Sequence, residues 1–541
     1  MPRRRRKPSR SRSGRRGRRS SEEHVSRASL RAARALARER FGIERLHPEQ
    51  VEALEAILAG RDLLAVLPTG FGKSLLYQLP ALLSERPTVV VSPLIALMAD
   101  QEASLRRRRA PVVRVDSSLR VAERRAALER VRVGGALIVL TTPETLGSEE
   151  LRGVLRASPP GLFCVDEAHC ISEWGHDFRP AYLRMARERE ALGNPQALAL
   201  TATATVRVRE DIVERLELRR PTLVQAPPAR PNLRLEVEEL SAATKDERLG
   251  RLIRRVPRPA IVYCSTTRAA EGLGLAFEKV RIPSARYHGK MSKAERDAAQ
   301  GRFMRARSRL VMCATSAFGM GIDKPDIRTI LHYQVPGSLE QYVQEAGRAG
   351  RDGKPARCLL LFDPADLDIQ RHLQRGGRGN PVQLRRIAKA LEAWAGEGRP
   401  VPAAELALSA GAPQTTTRAF CAQLEGLGAL ERDARKRLRV TASKRELARL
   451  TRDLVQRLRV REREDVERLA AVEAYARTTG CRSAFLRRYF GEPEPPDCGR
   501  CDRCRIEPLG QSGSRRRGRR GTRKGRGPRR RRRRRASQGR R

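Results

Sequence analysis

Residues 63–74 read Leu63-Leu64-Ala65-Val66-Leu67-Pro68-Thr69-Gly70-Phe71-Gly72-Lys73-Ser74, and this stretch decides the fold. Its apolar half has the length and continuity of a strand buried on both faces. That run empties into Pro68-Thr69-Gly70-Phe71-Gly72-Lys73-Ser74, and a helical pattern, LLYQLPALL, follows directly. Glycines let backbone N–H groups close on phosphate oxygens, and the N-terminus of the next helix favours their negative charge. In such a loop Lys73 reaches the β- and γ-phosphates and Ser74 holds Mg²⁺. The first glycine of the G-x-x-x-x-G-K-S pattern is replaced by Leu67.

Outward from this loop the same alternation repeats. LLAVLP, TVVVSP, ALIVLTT, LFCVDEA and ALALTAT lie between about residues 60 and 220, separated by amphipathic stretches. A βα-alternating domain with a parallel sheet is expected. PPARPN (227–232) interrupts the pattern, and AIVYCS, RLVMCATS, TILHYQ and ARCLLLF resume it to about residue 365. The fold class is therefore α/β, with two parallel-sheet domains in tandem. A helical region punctuated by GRPVP and GAPQ follows, and then a cysteine cluster. The expected division is a basic tail at 1–26, α/β domains at 27–226 and 227–365, a helical insertion at 366–475, a cysteine module at 476–505 and an Arg/Gly-rich tail at 506–541.

The strand LFCV runs into Asp166-Glu167-Ala168-His169, about ninety residues past the phosphate loop. An Asp closing a buried strand beside such a loop suits a role on Mg²⁺, and the adjacent Glu167 can orient or deprotonate an attacking water. In the second domain, Gln344-Glu345-Ala346-Gly347-Arg348-Ala349-Gly350-Arg351 reads as helical, which sets Arg348 and Arg351 on one face. Arginines brought to a phosphoryl group in transfer raise the rate by about 10³–10⁵. Any one of these motifs alone fits a solvated loop or a basic surface helix. Their order along one chain argues for phosphate chemistry.

The formal net charge is +50, of which residues 1–20 carry +11 and residues 506–541 carry +16, leaving +23 on the body. Both ends are Arg, Gly and Ser with almost no large apolar residue, a composition that favours disorder. A polyanion partner follows, because Lys and Arg that neutralise phosphates release condensed counterions. A nuclear-localisation signal or an anionic-membrane contact would use the same residues. No apolar run is long enough for a membrane span, and no apolar segment follows the basic N-terminus, so neither a spanning helix nor a secretory signal is expected.

Four of the ten cysteines are clustered: sixteen residues separate Cys481 from Cys498, and two separate Cys498 from Cys501 and Cys501 from Cys504. Four thiolates in this spacing match a closed, structural tetrahedral Zn²⁺ site, with an iron–sulfur cluster as the other option.

These motifs together resemble the superfamily-two helicases, and within them the RecQ family of DNA helicases. The resemblance covers roughly residues 36–365 and 480–504 and rests on FGIERLHPEQ, LPTGFGKSLLYQLPAL, VSPLIALMADQ, DEAHCISEWGHDFRPAY, ALTATA, AFGMGIDKP and QEAGRAGRDG. It implies ATP held between two RecA-like domains, with Lys73, Ser74, Asp166 and Glu167 from the first and Arg348 and Arg351 from the second. Gln50 would read the adenine edge. Leu46-His47 stands where members usually carry an aromatic-Arg pair, which implies weaker adenine selectivity. Trp174, His176, Phe178 and Arg179 correspond to the family's aromatic-rich loop, which couples single-strand binding to hydrolysis, and CRSAFLRRYFGE…CGRCDRC resembles its zinc subdomain. The implied function is ATP- and Mg²⁺-dependent 3′-to-5′ unwinding of duplex DNA in recombination or repair. The expected partners are single-stranded and duplex DNA, and the expected compartment is the cytoplasm or nucleoid of a bacterium or a eukaryotic nucleus. An RNA helicase on the same engine, or a strand-annealing protein working through its basic tails, are the rival functions.

Residues 381–441 have no obvious counterpart in the common family layout. Leu384, Ile387, Leu391 and Trp394 recur at helical spacing, VPAAELALSAG reads as a second helix, and a third runs through Phe420, Leu424 and Leu427. ALERDARKRLRVT reads as two short strands around a basic turn. Three helices and a hairpin make a winged helix, with Thr415, Thr416, Thr417 and Arg418 expected to face a nucleic acid. A helical spacer for the cysteine module is the plainer alternative.

Overall fold

The computed structural model describes residues 29–174, 177–306, 309–319, 322–376 and 379–504. Both expected tails, and His176, lie outside the described residues. The first sheet comprises β1 (Leu63–Val66), β2 (Thr88–Val91), β3 (Val112–Val115), β4 (Ile138–Thr141), β5 (Leu162–Val165), β6 (Gln196–Thr201) and β7 (Thr222–Gln225), in the order β3-β4-β2-β5-β6-β1-β7. All its pairings are parallel. Alternate residues of β1 serve opposite cores: Leu63 and Ala65 join Leu54, Leu76 and Leu79, while Leu64 and Val66 join Val89, Val91 and Phe163. That two-sided burial explains why these strands are unbroken apolar runs.

The second sheet comprises β8 (Leu233–Glu239), β9 (Ala260–Tyr263), β10 (Ser284–Tyr287), β11 (Val311–Ala314), β12 (Thr329–His332) and β13 (Ala356–Phe362), in the parallel order β10-β11-β9-β12-β13-β8. The phosphate loop follows β1, the Asp166 segment follows β5, and residues 202–204 follow β6. These strands are adjacent, so all three segments leave one edge of the first sheet together.

Helices Pro381–Gly396, Ala403–Ser409 and Gln414–Gly426, with the antiparallel hairpin β14 (Leu430–Arg432) and β15 (Leu438–Val440), form the expected winged-helix module. It closes its own core of Leu384, Ile387, Leu391, Leu406, Phe420, Leu424, Leu430 and Leu438, sealed by Leu447, Leu450 and Leu454 of the helix Lys444–Arg477. That 34-residue helix starts at Ser443, whose hydroxyl accepts from the Glu446 amide at 3.3 Å, and spans about 50 Å. The module is inserted between the helix Asp366–Arg375 and this long helix, which pack on one another.

One detail of the expectation is corrected. Thr416 and Thr417 are buried, because Thr417, Phe420, Cys421 and Leu424 form the i, i+3, i+4, i+7 stripe that faces the module's core. The Thr417 hydroxyl donates to the Pro413 carbonyl at 3.1 Å. Gln414, Thr415, Arg418, Ala419, Ala422, Gln423 and Gly426 are exposed on the rest of that helix.

Among the described residues, no helix is long and apolar enough to cross a membrane.

Candidate functional site

The phosphate loop turns on two left-handed glycines, Gly70 (φ +80°) and Gly72 (φ +78°), a backbone region where a Cβ is penalised. Lys73 Nζ donates to the Leu67 carbonyl at 3.0 Å, inside the loop. Burial lowers the Lys73 pKa, and the nearby Glu167 and Asp166 carboxylates oppose the shift. Asp166 is buried at the end of β5, and desolvation together with Glu167 raises its pKa against the pull of Lys73. The loop and the acidic pair are thus one electrostatic unit.

Glu167 holds a left-handed backbone (φ +50°), strain of about 1–3 kcal/mol for a non-glycine residue that clusters at functional sites. Its amide donates to Asp166 Oδ1 at 3.0 Å, and its Oε2 lies 3.4 Å from His169 Nδ1. His169 Nδ1 is 2.9 Å from the Thr201 hydroxyl, and that hydroxyl donates to the Thr203 carbonyl at 3.2 Å. Gln344, from the second sheet's side, donates to Thr203 Oγ1 at 3.2 Å. A polar chain therefore runs from Glu167 to the QEAGRAGR segment.

That segment departs from the expected helix. The helix Leu339–Ala346 ends before Gly347, and Gly350 takes φ +55°, so Arg348 and Arg351 project from a turn and not from one helical face. The turn still meets the phosphate loop: a Cβ on Gly70 would stand 3.0 Å from Arg351 Cγ and 3.2 Å from Arg230 Nη1, and one on Gly347 3.2 Å from Thr69 Cβ. Arg351 pairs with Asp323, and Arg348 donates to the Gly319 carbonyl.

Arg230 escaped the sequence reading, being part of the PPARPN stretch taken only as a break. It donates to the Gly347 carbonyl at 2.8 Å, and burial beside Arg351 lowers its pKa to about 10. The Nε atoms of Arg230, Arg348 and Arg351 are buried and make no hydrogen bond within the described residues. Arg230 and Arg351 against the glycine loop, with Arg348 beside Arg351 and all three holding an unused donor, suit a polyphosphate.

Gln50 sits at the third position of the helix Pro48–Leu58, buried. Its Oε1 accepts from the His47 amide at 2.9 Å and its Nε2 donates to the Phe71 carbonyl at 2.8 Å. The His47 ring stacks on Phe71 with centroids 4.4 Å apart. In the aromatic loop, Trp174, Phe178 and Arg179 are all half-buried. Arg179 donates to the Pro93 carbonyl at 3.1 Å and pairs with Asp177 at 3.3 Å. A cleft of about 580 Å³ bounded by Phe178, Gln344, Arg348 and Arg461 joins this loop to the arginine turn.

The four cysteines converge, with their sulfurs all within 4.8 Å of one another. Cys498–Cys504, Cys481–Cys501 and Cys501–Cys504 separations are 3.9, 4.0 and 3.4 Å. Four sulfurs at about 2.3 Å from one ion lie about 3.8 Å apart, so the donor set fits tetrahedral Zn²⁺. Backbone amides of Cys498, Arg482 and Cys501 donate to the sulfurs of Cys481, Cys501 and Cys498 at 3.2–3.4 Å. Next to them Arg482 is fully buried, bonded to Asp502 at 3.0 Å, and the Asp502 amide donates to the Leu235 carbonyl of β8 at 3.2 Å. Leu486, Phe490 and Cys501 share one core with Ile330 and Leu360 of the second sheet. Cys501→Ser is therefore expected to lose zinc and lower the thermal unfolding temperature together, since metal binding at such a site is folding free energy; metal analysis beside a melting curve checks both.

The two sheets and the loop they enclose define a DEAD/DEAH-box helicase engine. Family profiles agree: DEAD/DEAH box helicase over residues 47–212, helicase conserved C-terminal domain over 244–353, RecQ zinc-binding over 436–505, and an IclR helix-turn-helix domain over 383–434. The chain is 41% identical over 336 residues to the probable ATP-dependent DNA helicase RecS of Bacillus subtilis, covering 62% of this chain and 67% of that protein. It is 32% identical over 478 residues to the ATP-dependent DNA helicase RecQ of the same organism, covering 88% and 67%. The fold is shared with helicase MrfA bound to DNA and AMPPNP (TM-score 0.50, 22% identity, covering 77% and 62%) and with Mss116p bound to ssRNA and AMP-PNP (TM-score 0.52, 20% identity, covering 66% and 76%). The chain belongs to the RecQ family of ATP-dependent DNA helicases.

Proposed function

We infer that this helicase moves 3′ to 5′ along one DNA strand, separates the duplex ahead of it, and serves recombination or repair. The observation that supports the engine most is the meeting of Gly70 and Thr69 with Arg230, Arg351 and Gly347 from opposite sheets. Residues Pro68, Thr69, Gly70, Gly72 and Lys73 would cradle the ATP phosphates, and Lys73 would exchange the Leu67 carbonyl for phosphate oxygens. The Ser74 hydroxyl and the Asp166 carboxylate are hard oxygen donors suited to Mg²⁺, which neutralises phosphate charge when bound. Glu167, fixed by its strained backbone, would orient the attacking water. Arg348 and Arg351, with Arg230, would stabilise the charge of the transferred phosphoryl group. For Gln50 to read adenine, its amide would have to leave the Phe71 carbonyl. Domains 27–226 and 227–365 would close on ATP and reopen after hydrolysis, and the chain from Glu167 through Thr203 to Gln344 would carry that change.

Trp174, Phe178 and Arg179 would stack on and hold unpaired bases, independent of sequence. The winged helix is the candidate for duplex contact. Arg418 faces outward on its third helix, and Arg435, Lys436 and Arg439 on its hairpin form no ion pair among the described residues. Replacing Arg435, Lys436 and Arg439 with alanine is expected to flatten the plot of log K against log salt for duplex DNA by roughly 0.9 per lost phosphate contact. Single-strand-stimulated ATPase should keep its parent value, and an unaltered slope would return the module to the role of a spacer. The function as a whole is tested by strand separation on DNA and RNA duplexes bearing a 3′ or a 5′ tail: 3′-tailed DNA is the expected substrate, and preference for RNA would favour the rival helicase.

A further inference from the structure

Four residues of the long helix, Arg457, Arg461, Glu464 and Arg468, are spaced by four, three and four and so share one face. That face meets the aromatic loop. Arg468 donates to the Trp174 carbonyl at 2.7 Å, Arg457 lies 3.5 Å from Glu173, and the Arg461 guanidinium stands 4.4 Å from the centre of the Phe178 ring. Glu464 is buried and lies 3.5 Å from both Arg468 and Arg207. Arg207, from the helix Val206–Arg215, covers the Trp174 ring at 3.0 Å from its centre. Each described aromatic ring of the loop thus carries a guanidinium on a face where a base would stack.

We propose that this stripe of the long helix, acting with Arg207, positions the aromatic loop and occupies its stacking faces, so that single-stranded DNA engages the loop by displacing Arg461 and Arg207. The inference rests on the reading of the loop as the single-strand sensor. Cation–π contact and base stacking are similar in strength, so the exchange is close to balanced and responds to DNA concentration. Glu464, 3.5 Å from both Arg207 and Arg468, ties Arg207 to the helix that leads into Cys481, which links the sensor to the zinc module and through it to the second sheet.

The test uses the full chain and ATP turnover titrated with an oligothymidine single strand. Arg461→Ala is expected to lower the half-saturating DNA concentration by about three- to tenfold, with turnover at saturating DNA and KM for ATP unchanged. Arg461→Lys, which keeps a cation, should stay near the parent, and Glu464→Gln, which loosens Arg207 and Arg468, should move in the same direction as Arg461→Ala. A rise in the half-saturating concentration for Arg461→Ala would make Arg461 a DNA contact, and no change would make the stripe mere packing; either result overturns the proposal. Trp174→Ala separates this from the underlying reading: if stimulation by DNA survives that change, the loop is not the sensor, whatever Arg461 does.

Discussion

Arg351→Ala is expected to lower DNA-stimulated ATP turnover by about 10³–10⁵-fold while single-strand binding persists. The size follows from position. Arg351 crosses from the second sheet to within contact of Gly70, where an added Cβ would stand 3.0 Å from its Cγ, with Arg230 Nη1 next at 3.2 Å. Its Nε is buried, and desolvation with the neighbouring Arg348 lowers its pKa, a cost that an incoming polyphosphate would offset. Arg351→Lys should not rescue, because a point charge lacks the planar pair of donors that grips two oxygens. Steady-state ATPase measured beside DNA binding checks this. A loss below about tenfold would mean that Arg351 serves mainly its ion pair with Asp323.

Lys73→Ala comes next, with an expected loss of about 10²–10³ in turnover, the scale of removing one preorganised charge-stabilising donor. Lys73 sits in the loop between the Leu67 carbonyl and the Asp166–Glu167 pair, well away from the aromatic loop's own contacts. Affinity for single-stranded DNA in the absence of nucleotide should therefore match the parent. Equal losses of both activities would show the variant to be unfolded or the two surfaces to be one.

The central strands were legible because burial on both faces leaves only apolar side chains. The four strands the sequence reading passed over, β3 (VVRV), β7 (TLVQ), β8 (LRLEVEE) and β10 (SARY), are the edges of the two sheets. Edges meet solvent or a covering loop on one side, so polar residues enter and the apolar run breaks. The phosphate loop, the acidic pair and the cysteines were legible because their chemistry needs fixed spacing within a few residues.

Arg230 was not legible, since its role depends on a turn more than a hundred residues away. The winged helix was readable from periodicity, and the same periodicity applied to Thr417 and Phe420 would have put Thr416 and Thr417 inside. The glycines at 347 and 350 carried the signal that the arginine segment leaves the helix. The stripe Arg457-Arg461-Glu464-Arg468 was visible as spacing, but not as a contact with residues nearly three hundred positions earlier.

The most direct test of the account is strand separation on a 3′-tailed DNA duplex by the full chain, with ATP, without ATP, and with Lys73→Ala. The account predicts separation by the parent with ATP alone, and none in the other two conditions. Separation that continues without ATP, or that Lys73→Ala retains, would contradict it and leave a basic DNA-binding protein whose nucleotide site is not its engine.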